Sequence, residues 1–205
     1  MTPEAYIADL MRRKGPGRVA VAIAGMTCSG KTTLADRIAA AFAAEGAALM
    51  RQDDYYKDLP DIPRGGCGFQ LESPAAFHTA EFVRDAKTLL STGAVLSPVY
   101  DVASNTRRTE KRLVRAGRIA VFEGLHAVSL LKGEIDCVAF FADEPPEVCL
   151  ARRVRRDTAA FGVPEEAVRA AWERRILPES RAFVLPQRDA ADLLVTDGGE
   201  TVGTA

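Results

Sequence analysis

RVAVAIAGMTCSGKTTLADRIAAAF, residues 18–42, decides the fold. Residues 18–24 set valine and isoleucine among alanines, the composition of a strand buried in a parallel sheet. Residues 31–45 are helix formers, with Leu34, Ile38 and Phe42 spaced along one face. Between them GMTCSGKT, residues 25–32, fits G-x-x-x-x-G-K-[ST] in the strand-then-helix context that gives the pattern its meaning. Glycines let successive N–H groups turn inward, and the helix start adds its unpaired N–H groups and positive dipole end. The segment therefore reads as a nucleotide-phosphate cradle made of Gly25, Thr27, Cys28, Ser29, Gly30, Lys31, Thr32 and Thr33. Lys31 brings a point charge to the β- and γ-phosphates, and Thr32 offers its hydroxyl to Mg²⁺. The loop specifies nucleotide binding without specifying the reaction.

On the N-terminal side, residues 1–14 read as a short amphipathic helix that Gly15-Pro16-Gly17 breaks. Arg12, Arg13 and Lys14 lead into that break and not into an apolar run, so no export signal is expected. On the C-terminal side, residues 47–51 form a second strand after Gly46, and residues 57–73 form a Pro-, Gly- and Asp-rich loop. Pro74 is expected in the first turn of a helix running to about Leu90. Residues 94–100 and 106–114 are two extended segments of a hairpin, and 118–122 and 135–141 are buried strands. Pro145-Pro146 opens a helix with four arginines, Pro164 opens another that ends near Pro178, and 191–196 is the last strand before a frayed tail after Asp197. Strands alternating with helices imply an α/β fold, a parallel sheet with helices on both faces. One domain over residues 1–205 is expected.

A formal net charge of −1 gives no global attraction to nucleic acid or anionic lipid, so any basic site is local. The 4 cysteines (Cys28, Cys67, Cys137 and Cys149) form no C-x-x-C pair and read as reduced thiols of a cytoplasmic protein. No apolar run reaches the roughly 20 residues that span a bilayer.

Chemistry-bearing residues gather where strands end. Gln52-Asp53-Asp54-Tyr55-Tyr56 follows the second strand, and an acid there can take a proton from an attacking hydroxyl or help hold a metal. A loop-capping aspartate is the plainer reading. Glu123, in VFEG (residues 121–124), stands where an acid reaches Mg²⁺ through water. Arg152, Arg153, Arg155 and Arg156 share one predicted helix, as a solvated basic face or as phosphate-neutralising groups. Of these, Arg153 and Arg156, one turn apart, are expected to face inward. His78 and His126 accompany no nucleophile or metal-ligand spacing and read as structural.

Taken in order, GMTCSGKTT (25–33), QDDYY (52–56), SPAAF (73–77), PVYD (98–101), VFEG, ARRVRRD (151–157) and FVLPQRDAADLLV (183–195) resemble the uridine kinase/phosphoribulokinase family of P-loop kinases, the uridine kinase branch above all. The resemblance covers most of the chain. It implies a Rossmann-like P-loop core with a lid region at about residues 152–180, ATP or GTP with Mg²⁺ as donor, and a nucleoside 5′-hydroxyl as acceptor. It makes Asp53 the general base, Tyr56 a substrate contact, Tyr100 a base-stacking residue, and Arg153 and Arg156 substrate and phosphate contacts, with Thr32, Asp53 and Glu123 toward the metal. It also implies a small-molecule partner, neither nucleic acid nor membrane, and is compatible with a homo-oligomer.

Departures fall in the acceptor pocket and the lid. Glu72 stands where uridine kinases usually carry Asp, Asn105 where they carry His, and Ala160-Phe161-Gly162-Val163 where the lid continues with E-R-G-R. Ala171 takes the place of a lid Gln. The phosphoryl-transfer machinery is thus expected to be kept and the acceptor pocket to have diverged, which leaves ribosylnicotinamide, sugar and sugar-phosphate acceptors open. The other classes are a GTPase switch, which the missing NKxD motif opposes, and a nucleotide-binding protein without transfer activity.

Overall fold

Val19, Val21 and Ile23 point to one side of the first strand (Val19–Gly25), and Ala20, Ala22 and Ala24 to the other. The computed structural model describes residues 1–196; the tail after Asp197 read as frayed lies outside them. The first strand is buried along its whole length, in the middle of a sheet of five parallel strands. On one flank lies the third strand (Ile119–Glu123), with Val21 opposite Val121. On the other lies the fourth (Cys137–Ala142), with Val21 opposite Val138. The second strand (Ala48–Arg51) extends the sheet beyond the third, and the fifth (Leu193–Val195) beyond the fourth.

This order has a functional consequence. The crossover leaving the first strand runs to one edge, and the crossover leaving the third runs the opposite way, so a crevice opens at their carboxyl ends. The phosphate-loop sequence follows the first strand and Glu123 ends the third, which brings both to that crevice.

Side-chain volume sets the two layers. The valine side packs under helices Pro3–Lys14, through Ile7 and Met11, and Lys31–Ala41, through Leu34 and Ile38. On the alanine side the strand leaves room for larger groups: Phe82 and Leu89 of helix Thr79–Thr92, Val128 and Leu131 of helix Ala127–Leu131, and Trp172. Phe82 meets Phe122 edge to face at 6.4 Å. Each such fully buried apolar side chain contributes about 1.5–3 kcal/mol of transfer free energy. No helix among the described residues is long and apolar enough to cross a membrane.

Several local expectations change. Pro74 opens only a 3-10 turn, Pro74–Ala76, which the Ser73 hydroxyl caps by accepting the Ala75 N–H at 3.2 Å. Phe77 is extended because it forms an antiparallel bridge with Tyr56, so the helix begins at Thr79. The helix expected over 31–45 stops at Ala41 and gives way to a 3-10 turn, Ala43–Glu45, before left-handed Gly46. Residues 57–73 hold a 3-10 turn, Leu59–Asp61, and a ladder of Arg64–Gly65 with Gly68–Phe69. The hairpin is present, as Ala94–Ser97 against Arg112–Arg115 and Tyr100–Asp101 against Thr106–Arg107.

Pro178 does not end its helix. The helical run passes from Glu165–Ala171 through a π turn, Trp172–Ile176, then Leu177–Glu179 and a second π turn, Ser180–Val184. A π turn widens the ladder, which relieves the clash between the proline ring and the preceding turn's carbonyl.

At the end of the third strand, a methyl group on Gly124 would collide with Gln52, whose side chain accepts the His126 N–H at 2.8 Å. Gly124→Ala should therefore displace Gln52 and its neighbour Asp53. The expected loss is about 1–3 kcal/mol of stability, read by urea denaturation; an unchanged midpoint would show that Gln52 yields without cost.

Candidate active site

The turn after the first strand is shaped by close packing. A Cβ at Gly25 would lie 2.9 Å from the Ala142 carbonyl and against Ser29 Oγ, at a φ of 155° that L-residues rarely adopt. Gly30, left-handed, then precedes helix Lys31–Ala41. Gly25 and Ser29 build this loop without lining the cavity in front of it; Thr27, Cys28, Gly30, Lys31, Thr32 and Thr33 do line it. Cys28 and Asn105 are the non-glycine residues with positive φ among the described residues, and both line the same cavity. Backbone strain of this kind concentrates at functional sites.

Beneath the loop, the Thr32 hydroxyl lies 3.4 Å from each carboxylate oxygen of Glu123. Glu123 is buried, and burial raises its pKa to about 7; nearby Asp53 adds to the rise, while Lys31, Arg51 and the Thr32 hydroxyl oppose it. Arg51 Nε stands 3.6 Å away and also pairs with Asp36 at 2.6 Å. A buried carboxylate, a hydroxyl and an exposed aspartate are hard oxygen donors, and they fit Mg²⁺. No group of three or more His, Cys, Asp or Glu side chains among the described residues forms a metal cage. The donor set therefore suits an ion that keeps waters and phosphate oxygens as ligands.

Across the cavity, the four residues after Gln52 separate. Asp53 is exposed and lines the cavity. Asp54 turns away, accepting from Arg112 at 2.7 Å and from the Tyr100 N–H at 3.4 Å. Tyr55 enters the core, where its hydroxyl donates to Asp85 at 3.0 Å. Tyr56 lies against Phe77 at 4.0 Å and Tyr100 at 5.5 Å, and its hydroxyl donates to the Leu71 carbonyl at 3.1 Å. Burial, with Asp53 and Glu72 nearby, holds its pKa well above the usual range. Glu72 is 4% exposed; burial raises its pKa against the pull of Arg153 and Lys31. One of its carboxylate oxygens has no hydrogen-bond partner.

Helix Pro146–Phe161 closes the cavity, which measures about 880 Å³. Arg153 spans it, donating to the Thr27 hydroxyl at 2.9 Å, to Glu72 at 3.4 Å and to Asp157 at 3.2 Å. Arg156 pairs with Asp157 at 2.8 Å and keeps 48% of its side chain exposed. The expected inward pair thus divides: Arg153 is enclosed and Arg156 sits at the rim. Arg152 is the more enclosed neighbour, reaching the Cys28 carbonyl at 3.4 Å. Sequence reasoning left out Arg152 as an inward group and Asp157 altogether, although Asp157 is the counter-ion for both arginines. The i, i+4 spacing of Arg153 and Asp157 was the available signal.

His126 is fully buried, edge to face with Phe77 at 5.6 Å, in keeping with a structural role. Burial lowers its pKa from 6.5 to about 4, opposed by the carbonyls of Glu72 and Phe183. Because the folded value is depressed, this group's contribution to stability is present above pH 6.5 and is lost as pH falls through about 4. At about 1.4 kcal/mol per unit, wild type should lose up to about 3 kcal/mol more than His126→Asn on acidification across that window, measured by urea denaturation. Parallel pH profiles would contradict the buried neutral assignment.

A model of the Phosphoribulokinase / Uridine kinase family matches residues 20–203. The chain is 30% identical to a uridine kinase of Deinococcus deserti over 182 residues, 87% of each protein. Against a uridine kinase of Ligilactobacillus salivarius the identity is 27% over 185 residues, 89% of this chain and 86% of the relative. Among solved structures, a Silicibacter sp. TM1040 protein described as a fructose transport system kinase superposes with a TM-score of 0.71 at 28% identity, covering 89% of this chain and 93% of that one. Phosphoribulokinase from Rhodobacter spheroides shares the fold, with a TM-score of 0.65 at 18% identity over 88% of this chain and 70% of that one.

Proposed function

Since the chain belongs to the phosphoribulokinase / uridine kinase family and is a P-loop kinase, we propose that it transfers the γ-phosphoryl group of ATP to a hydroxyl of a nucleoside, at the 5′ position. The observation that carries this reading is one cavity lined by Lys31 and Thr32 of the phosphate loop, by Asp53, and by Glu72 and Tyr100, with Arg153 reaching from Thr27 to Glu72.

Phosphate oxygens of the donor lie against the inward N–H groups of residues 25–33, with the Lys31 ammonium on the β/γ bridge. Mg²⁺, held toward Thr32, Glu123 and Asp53, neutralises charge on those phosphates when bound. Asp53 accepts the proton of the attacking hydroxyl, a role supported by its exposure on the wall facing the phosphate loop. Tyr100 offers a ring face to the acceptor's base, and Tyr56, Glu72 and Asn105 complete the acceptor wall. Arg153 and Arg156 stabilise charge on the transferring group. Arg153 must then exchange its present contact with Glu72 or Thr27 for phosphate oxygens.

A second reading, a sugar or sugar-phosphate acceptor, is favoured by the likeness to the Silicibacter kinase and by the unpartnered Glu72 oxygen, which suits any polyol. ADP release from Mg·ATP decides between them. Uridine, cytidine, nicotinamide riboside, other nucleosides and simple sugars form the panel, with GTP as the alternative donor. Nucleoside-dependent release is expected; release with sugars alone would select the second reading, and silence throughout would leave a nucleotide-binding protein. Asp53→Asn should lower turnover by about 10²–10⁴-fold, and near-normal turnover would remove it as the base. Lys31→Ala should cripple ATP use at every acceptor concentration.

A further inference from the structure

The acceptor wall is gripped from behind by two side chains of opposite charge. Arg175 donates to the Phe69 carbonyl, and the Glu179 carboxylate accepts the Glu72 N–H at 2.9 Å. The two residues are four apart on the helical run that contains the π turns, so they lie one turn apart on a shared face. Both are partly buried, and neither lines the cavity, whereas Leu71 and Glu72 do.

Other restraints act on the ends and side chains of this stretch: Phe69 pairs with Arg64 in the short ladder, Phe69 and Leu71 pack on the core, and the Glu72 carbonyl faces His126. The backbone bonds of the stretch are short-range: Gln70 to Pro63 at 2.9 Å, Leu71 to Phe69 at 3.0 Å and Ser73 to Gln70 at 3.3 Å. Beyond these, the Tyr56 hydroxyl reaches the Leu71 carbonyl. Yet the segment presents Glu72, a buried carboxylate whose line to Arg153 is 3.4 Å. A buried carboxylate held by one long ion pair rotates or draws in water unless its backbone is pinned. A carboxylate accepting a backbone N–H is among the stronger neutral-donor bonds available for pinning.

We propose that Arg175 and Glu179 are positioning residues for the acceptor: together they clamp the backbone of residues 69–72 and so aim the Glu72 carboxylate at the acceptor and at Arg153. The proposal rests on the reading of Glu72 as part of the acceptor wall. The helical run bearing the clamp follows helix Pro146–Phe161, which carries Arg153, through Gly162.

The test uses the full chain with Glu179→Ala and Glu179→Gln, since an amide oxygen still accepts the Glu72 N–H. Hydrogen exchange is read on the peptide covering residues 69–73, and kinetics on whichever acceptor of the panel turns over. In Glu179→Ala, exchange should quicken about tenfold, and KM for the acceptor should rise about tenfold while KM for ATP stays within twofold. Glu179→Gln should restore both to within about threefold of wild type. Unchanged exchange in Glu179→Ala overturns the clamp. Quickened exchange with no change in acceptor KM, or with both KM values rising together, overturns the positioning role. If no acceptor turns over, the functional reading has failed, and the exchange result still decides the clamp.

Discussion

Two opposite charges out of water, Lys31 at 8% exposure and Glu123 at 2%, set the terms for everything around them. Either charge alone in that position would cost several kcal/mol of desolvation. Keeping both requires the start of helix Lys31–Ala41 to meet the end of the third strand, which requires the first and third strands to be neighbours. The strand order with its reversal between them satisfies that condition. Even so, burial raises the Glu123 pKa against the pull of Lys31 and Arg51.

From that point the site extends through Arg153. One guanidinium touches the phosphate loop at Thr27, the far wall at Glu72 and its own helix at Asp157. The phosphate-loop side and the Glu72 side of the cavity thus share this guanidinium. Behind the Glu72 side, aromatic rings run from Tyr100 through Tyr56 and Phe77 to His126, so that wall of the cavity is continuous with the core.

What could be read from the chain was what local pattern determines. The phosphate loop was legible because its strand, turn and helix are consecutive, and the parallel sheet followed from alternation of elements. Tyr55 and Tyr56 were not separable: one enters the core and one faces the cavity, a choice made by Asp85 and Phe77, far along the chain. Pro74 carried a correct turn signal with the wrong length, because the bridge between Phe77 and Tyr56 keeps the backbone extended. The arginine run gave the helix and the charge, but which guanidinium enters depends on Thr27 and Glu72, both distant in sequence. Glu179 had no local signal at all, since its partner is a backbone N–H more than a hundred residues away.

The two π turns flanking Pro178 have a consequence for how this segment can change. Each wide turn holds one residue more than an α turn would, while successive α-helical residues rotate by roughly 100°. Losing a single residue from Trp172–Ile176 would let the wide turn close to an ordinary α turn and leave every later side chain facing where it does now. Leu177–Glu179 would keep its direction, because the wide turn and not the helix beyond it absorbs the change. In this stretch the chain can change its length by one residue inside a wide turn without turning the residues beyond it away from their partners.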